Sequence, residues 1–476
     1  MNIVINTIER EIHNQNARFV FPSDIAASLW PRRICEILGL RSLARNRFLA
    51  WDRFKEWHIR SDVQDKEPVS KEVRQLFVLD LIRRNAAAPL LHWLIPSAYS
   101  AEGAIFADEL ATLLPSLGAL REREVAHSLA SPLDEEDRDY LILEKEYRDF
   151  LNAFKLFEPA WEKPPLKDRE HDYYIFFPGA MEDFVEYEAV LDREPNIHIV
   201  HSGDLDEKEG TQEPPQFYRF ASSIEEIRAV VAEIRRIHQE MQMPFEDMAL
   251  SIPGLETLEP YLMQELTLHD IPVRRRQGYS LGKERAGRLF ALLQGCVANS
   301  FSFDSLKSLV LNEQIPWQNI ENNRALIQFG IENHCVSAYH EADGSLIDVW
   351  QEAFERNRKD ADLYQYYLDL KRSAQEICGA VDFTGIRKSY FKFFNKYLSR
   401  EDISPLDDAI LARCIEELSA LIYLEETYRD YLPASPYAMY LSILTEKRYV
   451  PQQENIGVNI FNTGLRQLLR TATILF

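Results

Sequence analysis

A chain of 476 residues with 46% hydrophobic and 27% charged residues has the composition of a globular protein and the length for two or more domains. A formal net charge of −22 excludes a nucleic-acid binder that uses its whole surface, because phosphate contacts demand Lys and Arg, but it leaves room for a local basic groove. No window approaches about 18 consecutive apolar residues, so a transmembrane span is excluded, and the first six residues lack the basic region and long apolar core of a signal peptide. The five cysteines (Cys35, Cys296, Cys335, Cys378, Cys414) are far apart and form no C-x-x-C, so they read as reduced, mostly buried thiols of a cytoplasmic protein.

In chain order, residues 1–65 read as half of an α/β domain. Residues 18–21 form a strand, Pro22-Ser23 a turn, and Asp24 an N-cap for a helix through Ala26, Ala27 and Leu29. A second strand over 47–51 continues through 52–55. Residues 66–165 read as a helical insertion, with Val73, Leu76, Phe77, Leu79, Leu81 and Ile82 at helical spacing and further helices over 110–117 and 140–157. Pro164-Pro165 closes it, and the acidic runs at 134–137 and 207–213 read as solvated loops. Residues 166–212 return to the first core with an aromatic strand over 173–177, a Pro178-Gly179 turn, a helix and a strand over 196–200.

Residues 213–299 form a second core. An extended apolar run over 217–221 reads as a strand, and Ser223 with Glu226 fits the S-x-x-E capping box. Ile227, Val230, Val231, Ile234 and Met241 give one apolar helical stripe. Pro244 breaks it, 248–252 is an apolar strand, Pro253-Gly254 punctuates, a helix covers 255–268, and 271–273 returns as a strand. The order β-α-β-α-β with near-continuous apolar strands implies a parallel sheet covered by helices on both faces. Residues 300–448 read as a second helical insertion, with amphipathic segments over 346–354, 361–377 and 406–428; 457–461 is the strand that re-enters the second core, which stays incomplete over 449–476.

Two stretches carry a family resemblance. "SSIEEIRAVVAEI…MPFEDMALSIPGLETLEPYLMQELTLHDIPVRRR" resembles the second RecA-like domain of superfamily I helicases and, more closely, the AddB/RexB-type subunits of bacterial helicase–nuclease recombination complexes. "FVFPSDIAASLWPRR…RFLAWDRFKE" resembles the segment after the nucleotide-binding loop of the same proteins, which in active helicases touches single-stranded DNA. The resemblance implies an α/β chain of two RecA-like parallel-sheet cores, each with a helical insertion. It also implies Ser23, Arg32 and Arg33 as candidate DNA contacts, against the plainer alternative that Ser23 caps a turn and the arginines are a solvated helix end.

The chemistry is mostly defined by absent motifs. A phosphate cradle needs G-x-x-x-x-G-K-[ST], whose backbone N–H groups surround phosphate while Lys and the hydroxyl hold charge and Mg²⁺. The Gly-Lys pair at 282–283 is followed by Glu284, and Gly278 lies one residue too close, so no ATP hydrolysis by this chain is expected. The strand over 173–177 runs into Pro178-Gly179 where an ATPase places carboxylates; Glu182 and Asp183 come too late and suit a helix start. Asp369-Leu370-Lys371 matches the D/E-x-K half of a PD-(D/E)xK nuclease by letter but lies in a helical pattern. His334-Cys335 and His340-Glu341 have no partners at ligand spacing, and neither H-E-x-x-H nor G-x-S-x-G occurs. No metal or cofactor is expected. Arg274-Arg275-Arg276 is the sharpest basic cluster, at a strand end that lines a crevice in open parallel sheets; it reads either as a holder of nucleic-acid backbone, with Arg285 and Arg288 nearby, or as a solvated loop.

The chain therefore reads as a non-catalytic, helicase-like scaffold of double-strand-break repair that binds single-stranded DNA and pairs with an AddA/RecB-like motor–nuclease subunit, with no membrane contact. The alternatives are the fragment of a PD-(D/E)xK exonuclease whose nuclease lies beyond residue 476, and a folded relic without function. The tail 462–476 fits the family pattern poorly, which implies truncation and an unfinished sheet edge.

Overall fold

The computed structural model describes residues 3–59, 66–95, 106–118, 135–162, 166, 168–181, 184–200, 218–252, 255–275, 278–340, 344–357, 361–399, 401, 403–449, 457–462 and 472–475. By compactness the chain divides into a first unit of residues 1–70, 112–277 and 453–476 and a second of residues 71–111 and 278–452.

Among the described residues the first unit holds two four-stranded sheets, both parallel throughout. In one, strands β1 (Ala17–Phe21), β2 (Phe48–Ala50), β3 (Asp172–Phe176) and β4 (Ile197–Val200) lie in the order β2-β1-β3-β4. Alternation along these strands explains the two cores. Phe19, Phe21, Phe48, Tyr174 and Phe176 point to the face covered by α1 (Ile3–Glu11) and α2 (Asp24–Leu38). Val20, Leu49, Tyr173 and Ile175 point to the other, where they meet Trp51, Phe54 and the buried residues of α3 (Phe184–Leu191). A sheet buried on both faces needs apolar residues at every position, and the strands read that way.

Arg47 stands just before β2 rather than opening it. Its guanidinium donates to the carbonyls of Glu11 (3.1 Å), Ile12 (2.7 Å), Asn14 (2.7 Å) and Ala17 (3.1 Å), closing the carbonyl-rich end of α1. After β2 the chain is helical, with a turn at Trp51–Phe54 and a π-turn at Lys55–Ile59, not the continued strand expected over 52–55. Trp51 and Phe54 are both buried, and a strand would send residues three apart to opposite faces. The acidic residues 135–137 likewise form the first turn of the helix Glu135–Ala153, where the helix dipole favours them, instead of a loop. The run at 207–213, Pro164-Pro165, Asp134 and Pro253-Gly254 fall outside the described residues.

The second sheet contains β5 (Met248–Ile252), β6 (Val273–Arg275), β7 (Val458–Asn462) and β8 (Ala472–Leu475) in the order β8-β5-β7-β6. Helices α4 (Ser223–Met241) and α5 (Leu255–Leu268) cover it through Ile227, Val230, Val231, Ile234, Leu255, Leu262 and Leu266. This sheet corrects three expectations. The strand over 217–221 is absent: Phe217 is outside the described residues, 218–220 is not a strand, and Tyr218 is 73% exposed. Both edges of β5 are already taken by β7 and β8, so β5 has no edge left for it. The α4 cap is Ser222, which accepts from the Glu225 N–H at 3.3 Å, one residue ahead of the Ser223 expected from the capping box. Part of the tail forms β8, the outermost strand beside β5, which aligns Ala472 with Met248 and Leu475 with Ser251. Met241 ends α4 beyond the core and is exposed.

The second unit is helical. It includes Lys71–Ala87, Arg288–Ala298, Phe303–Val310, Ile320–Glu332, Val349–Arg356, α6 (Ala361–Cys378), α7 (Phe383–Tyr397), α8 (Pro405–Thr427) and Pro436–Glu446. Large aromatic side chains fill its centre: Trp350, Tyr367, Tyr390, Tyr437 and Tyr440 are almost completely buried. The Trp350 indole donates to the Phe301 carbonyl, and the Tyr437 and Tyr440 hydroxyls donate to the carbonyls of Phe290 and Cys414, so these three buried polar tips are satisfied. Burial pushes the Cys296 and Cys378 thiols up to about 12, which suits packing rather than nucleophilic use.

Candidate functional site

In open parallel sheets the crevice at the carboxyl ends of the strands is where ligands are held. In the first sheet that edge is made by Phe21, Ala50, Phe176 and Val200 and by the turns and helix starts that follow the first three. Ser23 comes just after β1 and caps α2, its Oγ accepting from the Ala26 N–H at 3.3 Å; Asp24, expected as the cap, is the first helical residue. Asp24 instead meets Arg53 at 3.3 Å, tying the start of α2 to the helical turn after β2. Lys55, almost fully buried, stacks its ammonium over the rings of Trp51 (5.3 Å) and Tyr187 (5.6 Å) and reaches Asp52 at 3.0 Å.

Beyond β3, Phe177 takes the left-handed conformation (φ 58, ψ 50), and Pro178–Ala180 forms a 3-10 turn. A left-handed Phe is a strained residue, and strain collects where a backbone must turn sharply at a site. This is the strand end at which the helicase resemblance implies a metal-binding carboxylate. Here it presents an aromatic ring partly packed into the core. Glu182 and Asp183 lie outside the described residues.

Arg32 and Arg33 do not gather with Ser23. They stand nine and ten residues along the same helix, about 13 Å or more from its cap. Arg32 pairs with Glu36 at 3.0 Å on the helix surface, and Arg33 lies 5.6 Å over the Trp30 ring. The geometry of Ser23 is that of a cap, and that of Arg32 is a solvated i,i+4 pair.

In the second sheet the first two arginines of the run lie inside the ladder. Arg274 is in register with Asn459 and Arg275 with Ile460, because β6 begins at Val273 rather than ending there. Arg275 donates to Glu259 Oε2 of α5 at 2.7 Å, with both side chains 16% exposed. Arg276 is outside the described residues. At the same carboxyl edge a cavity of about 120 Å³ opens between α4, α5 and β5, lined by Ser223, Glu226, Ile227, Val230, Ile252, Leu258 and Leu262. Its walls are mostly apolar, so it suits an aliphatic group and offers no cradle for phosphate.

Sequence reasoning missed a polar cluster at the opposite, amino end of β3. Asp168 Oδ2 accepts from the Tyr173 hydroxyl at 2.7 Å and lies 2.6 Å from His171 Nδ1; His58 Nε2 is 3.1 Å from the same hydroxyl. Burial alone would raise the Asp168 carboxyl, but hydrogen bonds from Tyr173, His171 and the Glu170 backbone hold it at about 2. Burial lowers His58 against the attraction of Asp168. No sequence signal links His58 to residues more than a hundred positions later; the parallel sheet does. Among the described residues no group of three or more His, Cys, Asp or Glu could hold a metal ion. The Asp369-Leu370-Lys371 triplet lies in α6, where Asp369 meets Lys396 and Lys371 meets Asp348, so the two charges serve different ion pairs.

Two separate stretches of the chain match known families. Residues 4–201, which carry the first sheet, match the Treponema TP0900 N-terminal P-loop domain. Residues 282–450 match the Treponema TP0900 fourth helical domain. An uncharacterized protein of Treponema pallidum (strain Nichols) is 30% identical over 492 residues, across 93% of this chain. The chain spans 61% of that relative's length. The architecture of residues 4–201, a parallel sheet covered by helices on both faces, is consistent with a P-loop-type α/β fold. The description P-loop belongs to the matching family; within the present 476 residues the G-x-x-x-x-G-K-[ST] sequence does not occur. No helix among the described residues is long and apolar enough to cross a membrane.

Proposed function

We propose that this chain is a helicase-like scaffold of two RecA-like cores that holds single-stranded DNA without hydrolysing nucleotide, and that it works beside a motor–nuclease subunit in recombinational repair. The observation that carries the reading is the carboxyl edge of the first sheet. A P-loop-type sheet would need a carboxylate after its central strand to hold Mg²⁺ and water. This one ends in left-handed Phe177 followed by Pro178, whose ring removes a backbone donor as well. A fold built for nucleotide, with that position given to an aromatic ring, suits a protein that keeps the framework and leaves the chemistry to a partner.

A second reading has one observation in its favour. The matching relative is longer than this chain, so the whole protein's chemistry, including an exonuclease, can reside in residues that these 476 do not contain.

The test is fluorescence anisotropy of labelled oligodeoxythymidylate with the full chain at two salt concentrations, run beside a fluorescent ATP analogue. Salt-sensitive DNA binding without ATP turnover is the expected result. Steady ATP hydrolysis would overturn the scaffold reading, and absence of DNA binding by the folded chain would remove DNA from it.

A further inference from the structure

On several helices an exposed arginine is matched by an acid of the same helix: Arg32 by Glu36, Arg148 by Glu144, Arg236 by Glu240, Arg413 by Glu417. Such i,i+4 pairs are the ordinary state of a solvated helix face. α7 is built differently. Its sequence is FTGIRKSYFKFFNKY, with Arg387, Lys388, Lys392 and Lys396 and no acidic residue. In a chain of net charge −22 that is a marked reversal, and the neighbouring α8 carries six acids against one arginine.

Helical geometry sorts α7 into two faces. Phe383, Ile386, Tyr390, Phe393, Phe394 and Tyr397 are buried against the unit. Lys388, Phe391 and Lys392 point to solvent, with Phe391 41% exposed beside the two lysines. Lys396 is engaged by Asp369 of α6 at 2.8 Å. Arg387, Lys388 and Lys392 have no ion pair among the described residues. At the N-terminal end of α7, Asp382 caps the helix and Glu425 of α8 accepts from the Phe383 and Thr384 N–H groups, so both of these acids are engaged by its first turn.

We propose that this outward face of α7 is a contact surface for single-stranded nucleic acid. Lys388 and Lys392 are one turn apart, about 6 Å along the axis, the scale of one nucleotide of backbone. The aromatic ring next to them favours nucleic acid as occupant: a base has a π-face for Phe391 to stack on while its phosphates lie within reach of the two lysines. The proposal rests on the reading of the chain as a DNA-holding scaffold and names the surface that does the holding.

The experiment compares the full chain with three variants in anisotropy titrations of labelled oligodeoxythymidylate, with labelled polyglutamate as the competing polyanion. Lys388→Gln/Lys392→Gln should weaken DNA binding about tenfold or more and lower the log–log salt slope by about 1.4, two phosphate contacts at about 0.7 each. Phe391→Ala should lose about tenfold on DNA and nothing on polyglutamate. Lys145→Glu/Lys307→Glu, exposed lysines on other helices and an equal or larger change in net charge, should leave DNA binding close to that of the parent chain. All substituted positions are exposed, and circular dichroism checks that each variant folds. If the parent chain binds DNA and the α7 variants bind equally well, the α7 surface is overturned while the scaffold reading stands. If the parent binds no DNA, both fall. If polyglutamate binds as tightly as DNA and Phe391→Ala affects neither, the surface is one for an acidic protein and the proposal is wrong.

Discussion

Arg275 at the end of β6 places its guanidinium 2.7 Å from Glu259 Oε2 on α5, so the middle of the basic run is neutralised within its own sheet and helix layer. A half-buried pair of this kind positions α5 against the strand, and its cation reaches a ligand only if Glu259 lets go. Replacing Glu259 by Gln should therefore release one positive charge at the strand end. If this edge touches DNA, binding tightens about twofold to fivefold with a steeper salt dependence. An unchanged titration curve would leave the Arg274–Arg275 edge with a packing role only.

Asp168 makes acid stability depend on Tyr173. Its folded-state carboxyl titrates at about 2 against an ordinary 3.8, so the stability it contributes is present above about pH 4 and is lost as pH falls through about 2. Tyr173→Phe removes a hydroxyl donor and should raise the pH at which acid unfolding begins, read by tryptophan fluorescence along a pH titration. His58 acts in the same direction at higher pH. Its lowered folded-state value means that the unfolded chain binds the extra proton first, so stability declines as pH drops below about 6.5. A stability curve flat from pH 7 to pH 5 in the parent and unchanged in His58→Gln would contradict this.

Asp407 is the anchor between α8 and the turn that starts at Arg285. It accepts from Arg285 Nη2 (2.8 Å) and Nε (3.1 Å), from the Ala286 N–H (3.1 Å) and from Ser404 Oγ (2.6 Å), and its side chain is 6% exposed. Asp407→Ala leaves the buried Ala286 N–H without its acceptor and the part-exposed guanidinium with only Ser404 Oγ at 3.5 Å, which should cost about 2–3 kcal/mol in urea unfolding of the second unit. A loss below about 1 kcal/mol would mean that water replaces the carboxylate easily.

Two glycines should respond in opposite ways to the same methyl group. A Cβ on Gly287 would stand 1.8 Å from the Leu281 carbonyl oxygen, an overlap that only backbone movement can relieve. Gly287→Ala should therefore cost about 3 kcal/mol or more. At Gly179, in the turn after Phe177, a Cβ meets nothing within 4 Å, and Gly179→Ala should stay within about 0.5 kcal/mol of the parent. Equal melting temperatures for the two variants would refute the close approach at Gly287.

Much of the architecture was legible from periodicity alone. Apolar runs such as ARFVF, DYYIF and MALSI suit strands buried on two faces, and the stripe Ile227–Val230–Val231–Ile234 suits one helix face. These signals are local, and each residue's own side chain carries them. The missing phosphate loop was equally local, since the absence of G-x-x-x-x-G-K-[ST] needs no fold to be seen. Local pattern could not decide competition for partners. Residues 218–220 are not a strand although their pattern suits one, and the partners of β5 are instead β7 and the tail strand β8. Charge showed the same division. That arginines cluster at 274–276 and lysines recur in 383–397 is plain from the order of residues. That Arg275 meets Glu259 while Lys388 and Lys392 face water, and that His58 joins Asp168 and Tyr173 across a parallel sheet, came from the packing. Side-chain pattern sets which face is apolar, whereas the partner of a charge depends on which distant segment packs beside it.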